Sequence, residues 1–233
     1  MKSIVIEGPA TVSGVVTPGG NKNAALPIIA AAILTRDEVV IHNMPKILDV
    51  ENMLELAMEL GASVKREGTT VVIHAHDIDS SALSPKKCAA LRASFIFGGA
   101  VAARCGESMI GLPGGDFIGR RRLDSHFYGL EKLGITKTFD PESAVVHFEV
   151  KKGGLTGSDI FLDEASVTAT EHILIASVLA KGKTIIRNAA AEPHVQQLAE
   201  FLNLMGAKIT GLDSNSFSIC SISALASRFF IKP

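Results

Sequence analysis

The chain has 233 residues, 47% hydrophobic and 20% charged, with 23 lysines and arginines against 24 acids. This is a globular composition with room for a sizeable core; a formal charge of −1 gives no bulk field for nucleic acid, and one tyrosine with no tryptophan leaves little for base stacking. Three scattered cysteines without zinc spacing read as free thiols of a reducing cytoplasm, and the longest apolar runs, 24–34 and 93–103, fall well short of a membrane span of about 20 residues.

The opening "MKSIVIEGP" carries Glu7 and Pro9 where a secretory leader needs an apolar run. Residues 1–21 are read as a first strand segment that pairs outside the rest of the chain. "TPGGNKNAALP" then enters a helix that is apolar all round, with Lys22 and Asn23 at its N-terminus. Free backbone N–H groups there favour an anion, and a lysine is the wrong sign for that helix end unless an anion is bound. A strand "EVVIHN" follows. Next comes an amphipathic helix with Val50, Met53, Leu54 and Ala57 at i, i+3, i+4 and i+7, a Gly61 C-cap and two more strands. "IHAHD" ends a strand; His74 and His76 share a face without a further ligand cluster, and are read as surface histidines rather than a metal site.

Arg92, in "LRASF", stands one unit later in the place of Lys22, ahead of a second all-apolar helix. The loop "GLPGGDFIGRRRLDSH" then holds Asp116 between glycines, followed by Arg120, Arg121 and Arg122. Its glycines suit a lid that swings. Asp116 is either a partner for the arginines or an acid–base group, and the second role requires desolvation to raise its carboxyl towards neutrality. His126 follows, as a loop-side candidate or a helix-entry residue. Neither "PGGNKN" nor "PGGDFIG" has Walker or dinucleotide spacing. The third unit opens on "TATEHILIASVLA", again read as buried, then "KTIIRN" and a helix with Val195, Leu198, Ala199 and Leu202 on one face before Gly206.

The turn glycines Gly61, Gly134 and Gly206 recur at intervals of 73 and 72. A fixed period of this kind marks a repeat. Three helix–strand–helix–strand–strand units with three buried helices pack most economically with those helices in the middle. The expected fold is therefore α+β: an inside-out, barrel-like, pseudo-threefold domain over residues 22–222, with 223–233 as a linker. From Pro45 to Gly61 is 16 positions, but from Pro113 to Gly134 is 21, and the added residues lie in the glycine–arginine loop. Added loop material on a repeat scaffold is where binding and catalysis concentrate. The symmetry brings Lys22, Arg92 and the arginine run to one mouth. Several cations converging without acidic partners point to phosphate or diphosphate.

"NKNAALP", "LRAS", "LPGGDFIG", "RLDSH", "SVTATE" and "IIRNAAAEP", in this order and spacing, resemble the enolpyruvyl transferases that act on UDP-N-acetylglucosamine. Relatives acting on shikimate 3-phosphate lack the mobile loop. The resemblance implies transfer of enolpyruvyl from phosphoenolpyruvate to the 3-hydroxyl of UDP-N-acetylglucosamine, opening peptidoglycan precursor synthesis in the cytoplasm. It implies addition followed by elimination, with no metal or organic cofactor. Lys22 and Arg121 match phosphoenolpyruvate contacts, and Asn23 and Arg92 line the same cleft. Arg121, Arg122, Leu123, Asp124 and Ser125 match a segment holding the uridine diphosphate, and Glu164, Ala165, Ser166 and Val167 a second nucleotide segment.

The sequence departs from the pattern at Asp116, where most members carry a cysteine. A carboxyl still donates a proton but offers no thiolate for the epoxide antibiotic fosfomycin to alkylate. Ile96 replaces a common aromatic and Glu164 a lysine, and Glu164 is an unhelpful charge beside a diphosphate. Family members carry two such domains, so the chain is expected to be an N-terminal half whose catalysis needs the other. The alternative is a non-catalytic module that only binds the UDP-sugar or a partner domain.

Overall fold

The computed structural model describes residues 3–79, 83–115, 119, 122–220, 222 and 225, with the backbone alone of 230 and 231. The first unit comprises α1 (Lys22–Ala32), β1 (Glu38–Ile41), α2 (Leu48–Glu59), β2 (Ser63–Glu67) and β3 (Thr70–His74). A short α3 (Pro85–Cys88) and a 3-10 turn (Arg92–Phe95) lead to the second: α4 (Ile96–Cys105), β4 (Glu107–Gly111), α5 (Asp124–Lys132), β5 (Ile135–Asp140) and β6 (Val145–Val150). The third adds β7 (Asp159–Phe161) ahead of α6 (Val167–Ser177), β8 (Lys183–Arg187), α7 (Pro193–Leu204), β9 (Lys208–Thr210) and β10 (Ser216–Cys220). Last comes β11 (Phe230–Ile231).

The three apolar helices meet one another at the centre. In α1 every residue from Ala24 to Ala32 is buried, in α4 Ile96 to Ala102, and in α6 Ala169 to Ser177. Close approach here depends on missing side chains. A Cβ on Gly99 of α4 would lie 2.4 Å from Nε2 of His172 on α6, and one on Gly98 would lie 2.7 Å from the Phe148 ring. Outside this trio, α2 and α7 bury the stripes read from the sequence: Val50, Met53, Leu54 and Ala57, and Val195, Leu198, Ala199 and Leu202. Each fully buried valine, leucine or methionine among them contributes about 1.5–3 kcal/mol. Gly61, Gly134 and Gly206 end α2, α5 and α7 at φ of +101°, +94° and +101°, a left-handed conformation that costs glycine nothing.

Each unit closes on its own sheet, ordered β11–β1–β3–β2, β4–β6–β5 and β7–β8–β10–β9. The leading strand of each unit pairs antiparallel with its last strand, as Val39 with Ile73, Ile110 with Val146 and Ile185 with Ser218. Parallel edge strands extend the first and third sheets, with Val40 beside Phe230 and Ile160 beside Ile186. The segment expected to be linker thus supplies β11 to this domain's own sheet, giving the β1 edge a partner. Residues 3–21 join no sheet, and Ile4, Val5, Ile6, Val12, Val15 and Val16 are exposed. Among the described residues, no helix is long and apolar enough to cross a membrane.

Candidate active site

The N-terminal ends of the central helices gather around a cleft of about 460 Å³. Lys22, Asn23, Leu26 and Pro27 come from α1, Arg92 from the turn before α4, and Val167, Thr168 and Glu171 from α6. Asp49 of α2, His194 of α7 and Gly115, from the start of the glycine–arginine loop, also line the cleft. Lys22 and Arg92, 70 positions apart in sequence, therefore share one rim, as the repeat predicts. Helix N-termini add partial positive charge to it. Asp116, Arg120 and Arg121 lie outside the described residues.

The backbone contributes less to this rim than the sequence suggests. Asn21 caps α1, its carbonyl oxygen accepting from Asn23 N at 2.7 Å and Ala24 N at 3.2 Å. Two of the N–H groups expected to face an anion are therefore occupied. Nor do the cations lack acidic partners. The Lys22 ammonium lies 2.8 Å from Asp49, and Arg122 pairs with Asp124. The physical reason is proximity invisible in the sequence: Asp49 opens α2, whose N-terminus packs beside that of α1. Arg92 donates to the Arg122 carbonyl at 3.0 Å, tying the rim to the arginine segment.

The two expected nucleotide segments adjoin. Ser125 donates to the Asp163 carboxylate at 3.3 Å. Asp124, with Asp163 and Glu164 nearby, holds the Arg122 guanidinium above its usual pKa. Leu123 precedes α5 and is half-buried; Glu164 and Ala165 are exposed; Ser166 caps α6 by accepting from Ala169 N at 3.4 Å. Of the eight described residues in these two segments, Val167 lines the cleft. His74 and His76 are exposed, and His76 sits 3.1 Å from Asp77, away from this wall.

Glu171 and His172 were not singled out in the sequence. Glu171 is 2% exposed, and among the described residues its Oε1 has no hydrogen-bond partner. Burial, reinforced by the nearby Glu192, raises its carboxyl well above the ordinary range. Behind it, His126 and His172 form a buried pair, Nδ1 to Nδ1 at 3.0 Å, with Phe95 edge-on to both rings. Burial drives the pKa of each down, His172 to about 3. His126 thus lies in the first turn of α5, at the helix entry, and is buried in the core. The signal available was the pair Glu171–His172 inside "TATEHILIAS", two titratable residues in a helix otherwise read as apolar.

Residues 6–233 match the family described as EPSP synthase (3-phosphoshikimate 1-carboxyvinyltransferase). The UDP-N-acetylglucosamine 1-carboxyvinyltransferase of Bradyrhizobium diazoefficiens is 49% identical over 216 residues, 92% of this chain and 49% of that protein. That of Borreliella burgdorferi is 46% identical over 230 residues, 99% of this chain and 53% of the relative. Among solved structures, the enolpyruvyl transferase NikO from Streptomyces tendae superposes with a TM-score of 0.78 at 19% identity, over 94% of this chain and 51% of that one. EPSP synthase from Acinetobacter baumannii gives 0.70 at 17% identity, over 94% and 49%. The inside-out repeat is thus a known fold, and the chain spans about half the length of the curated relatives it matches.

Proposed function

We propose that this chain, which belongs to the EPSP synthase family of enolpyruvyl transferases, forms one wall of a site that transfers enolpyruvyl from phosphoenolpyruvate to the 3-hydroxyl of UDP-N-acetylglucosamine. The observation that carries this reading is that Lys22, Arg92 and Gly115 line one and the same cleft. The relatives at 46–49% identity bear the name of that reaction. In the addition step the sugar oxygen bonds to C2 of phosphoenolpyruvate while the methylene carbon takes a proton. In the elimination step that carbon gives a proton back, the double bond reforms and inorganic phosphate leaves. Lys22, Arg92 and Arg121 offset the phosphate charge throughout, and electrostatics of this kind is commonly the largest catalytic contribution. Asp116, on the loop, is the proton donor in place of a thiol.

The part of the relatives that this chain does not span supplies the opposite wall and the base for the sugar hydroxyl. Exposed Ile4, Val5, Ile6, Val12, Val15 and Val16 suit a segment that pairs with that second domain. The test is phosphate release from phosphoenolpyruvate and UDP-N-acetylglucosamine, by the chain alone and with a second half supplied from a relative. Release in the combined sample only is the expected result. Binding of the UDP-sugar without release in either sample would favour a non-catalytic module, and release by the chain alone would remove the need for a second wall.

A further inference from the structure

A directed hydrogen-bond relay runs from the helix core to the cleft. The backbone N–H of Gly99 donates to His172 Nε2 at 2.6 Å. A ring nitrogen that accepts carries no proton, so neutral His172 holds its proton at Nδ1. That proton can only point at His126 Nδ1, 3.0 Å away. His126 is then the acceptor at Nδ1 and is protonated at Nε2, which donates to the Thr168 hydroxyl at 3.1 Å. The sense of the whole chain is set by an amide, which cannot reverse.

Thr168 is half-buried and lines the cleft beside Glu171. Its oxygen accepts from His126, and among the described residues no acceptor takes its own proton. Aligned hydrogen bonds polarise one another, so a hydroxyl at the end of such a series is a strengthened donor. We propose that Thr168 is a ligand-binding residue whose hydroxyl donates to an anionic oxygen of the molecule seated between Lys22 and Arg92, with His126 and His172 as the positioning residues that aim it. The inference rests on the reading above that this cleft takes a phosphate-bearing ligand, and it adds a neutral donor to a rim of cations. Charge alone attracts an anion from any direction; a fixed hydroxyl selects one orientation of it.

The experiment compares Thr168→Val, which keeps the shape and removes the donor, with Thr168→Ser, which keeps it. Affinities for phosphoenolpyruvate and for UDP-N-acetylglucosamine are measured by calorimetry, on the chain alone and with the second half. Thr168→Val should weaken one of them by about 10- to 100-fold, the range for a lost bond to a charged oxygen, while Thr168→Ser restores it. In parallel, histidine-labelled protein reports the imidazole protons by NMR. His172 should show its proton on Nδ1 and His126 on Nε2. The His126 resonance should move downfield on adding ligand in wild type and Thr168→Ser but not in Thr168→Val. Equal affinity of wild type and Thr168→Val, or the opposite tautomers, overturns the relay alone. No binding by wild type in either form overturns the reading of the cleft and this inference with it.

Discussion

Glu171→Gln isolates the energetic consequence of placing an acid among the central helices. The carboxyl is 2% exposed, its Oε1 is unpartnered among the described residues, and its pKa lies well above the ordinary value of 4.5. The sign follows directly. Between 4.5 and the folded value the native state keeps a proton that the unfolded chain releases, so the native state loses stability as pH rises. The loss is about 1.4 kcal/mol for each pH unit in that interval and stops at the folded pKa. Glutamine is nearly isosteric and stays neutral throughout. The difference in unfolding free energy, Glu171→Gln minus wild type, should therefore climb by about 1.4 kcal/mol per pH unit from about 4.5 upward, then level off. Urea titrations at half-unit steps from pH 4.5 to 8 measure it. A difference that stays flat across that range means that Glu171 is ionised and solvated in the folded chain, and the neutral-acid description of the cleft floor is wrong.

The histidine pair has the opposite sign. Both rings titrate below the ordinary 6.5, so their contribution is present above pH 6.5 and lost on acidification, down to about 3 for His172. In a Glu171→Gln background, where the opposing acid is gone, each ring should remove up to about 1.4 kcal/mol per pH unit below 6.5, and a stability profile without that acid limb refutes it. Gly99→Ala should cost about 1–3 kcal/mol or more, because the new methyl meets His172 Nε2 at 2.4 Å; a thermal midpoint equal to wild type would mean that α4 and α6 separate freely. With the cleft completed, Asp116→Asn should cut turnover and leave UDP-N-acetylglucosamine affinity nearly unchanged, and unaltered turnover takes Asp116 out of the chemistry. The unsubstituted protein with the cleft completed should keep its activity in micromolar fosfomycin, since a carboxyl presents no thiolate; inactivation there would contradict the role given to Asp116.

The architecture was legible because a period near seventy residues is a long-range statement. It told which helices are equivalent, and equivalent helices share an environment, so Lys22 and Arg92 could be placed at one rim before any coordinates. What could not be read were contacts that the period does not relate, within a unit or between units. Asp49 meets Lys22 across two helices of the same unit, and His126 meets His172 across two units, and no spacing rule predicts either. Glu171 was hidden by its company: among Ile173, Leu174 and Ile175 the window stays apolar on average, so one acid did not alter the assignment of a buried helix. The cap by Asn21 was visible in "GGNKN", but its cost to the backbone anion site needed the geometry.

The Lys22–Asp49 contact turns the rim into a seat that is already taken. Any incoming group must win the ammonium from a resident carboxylate. Both side chains remain partly open to water, 48% and 32%, so the incumbent is held by no more than about 1 kcal/mol and can be evicted. A singly charged competitor offers the lysine nothing that Asp49 does not. A phosphate monoester above its second pKa, about 6, brings roughly twice the charge. By valence alone, a dianion therefore competes for the Lys22 ammonium better than a monocarboxylate does.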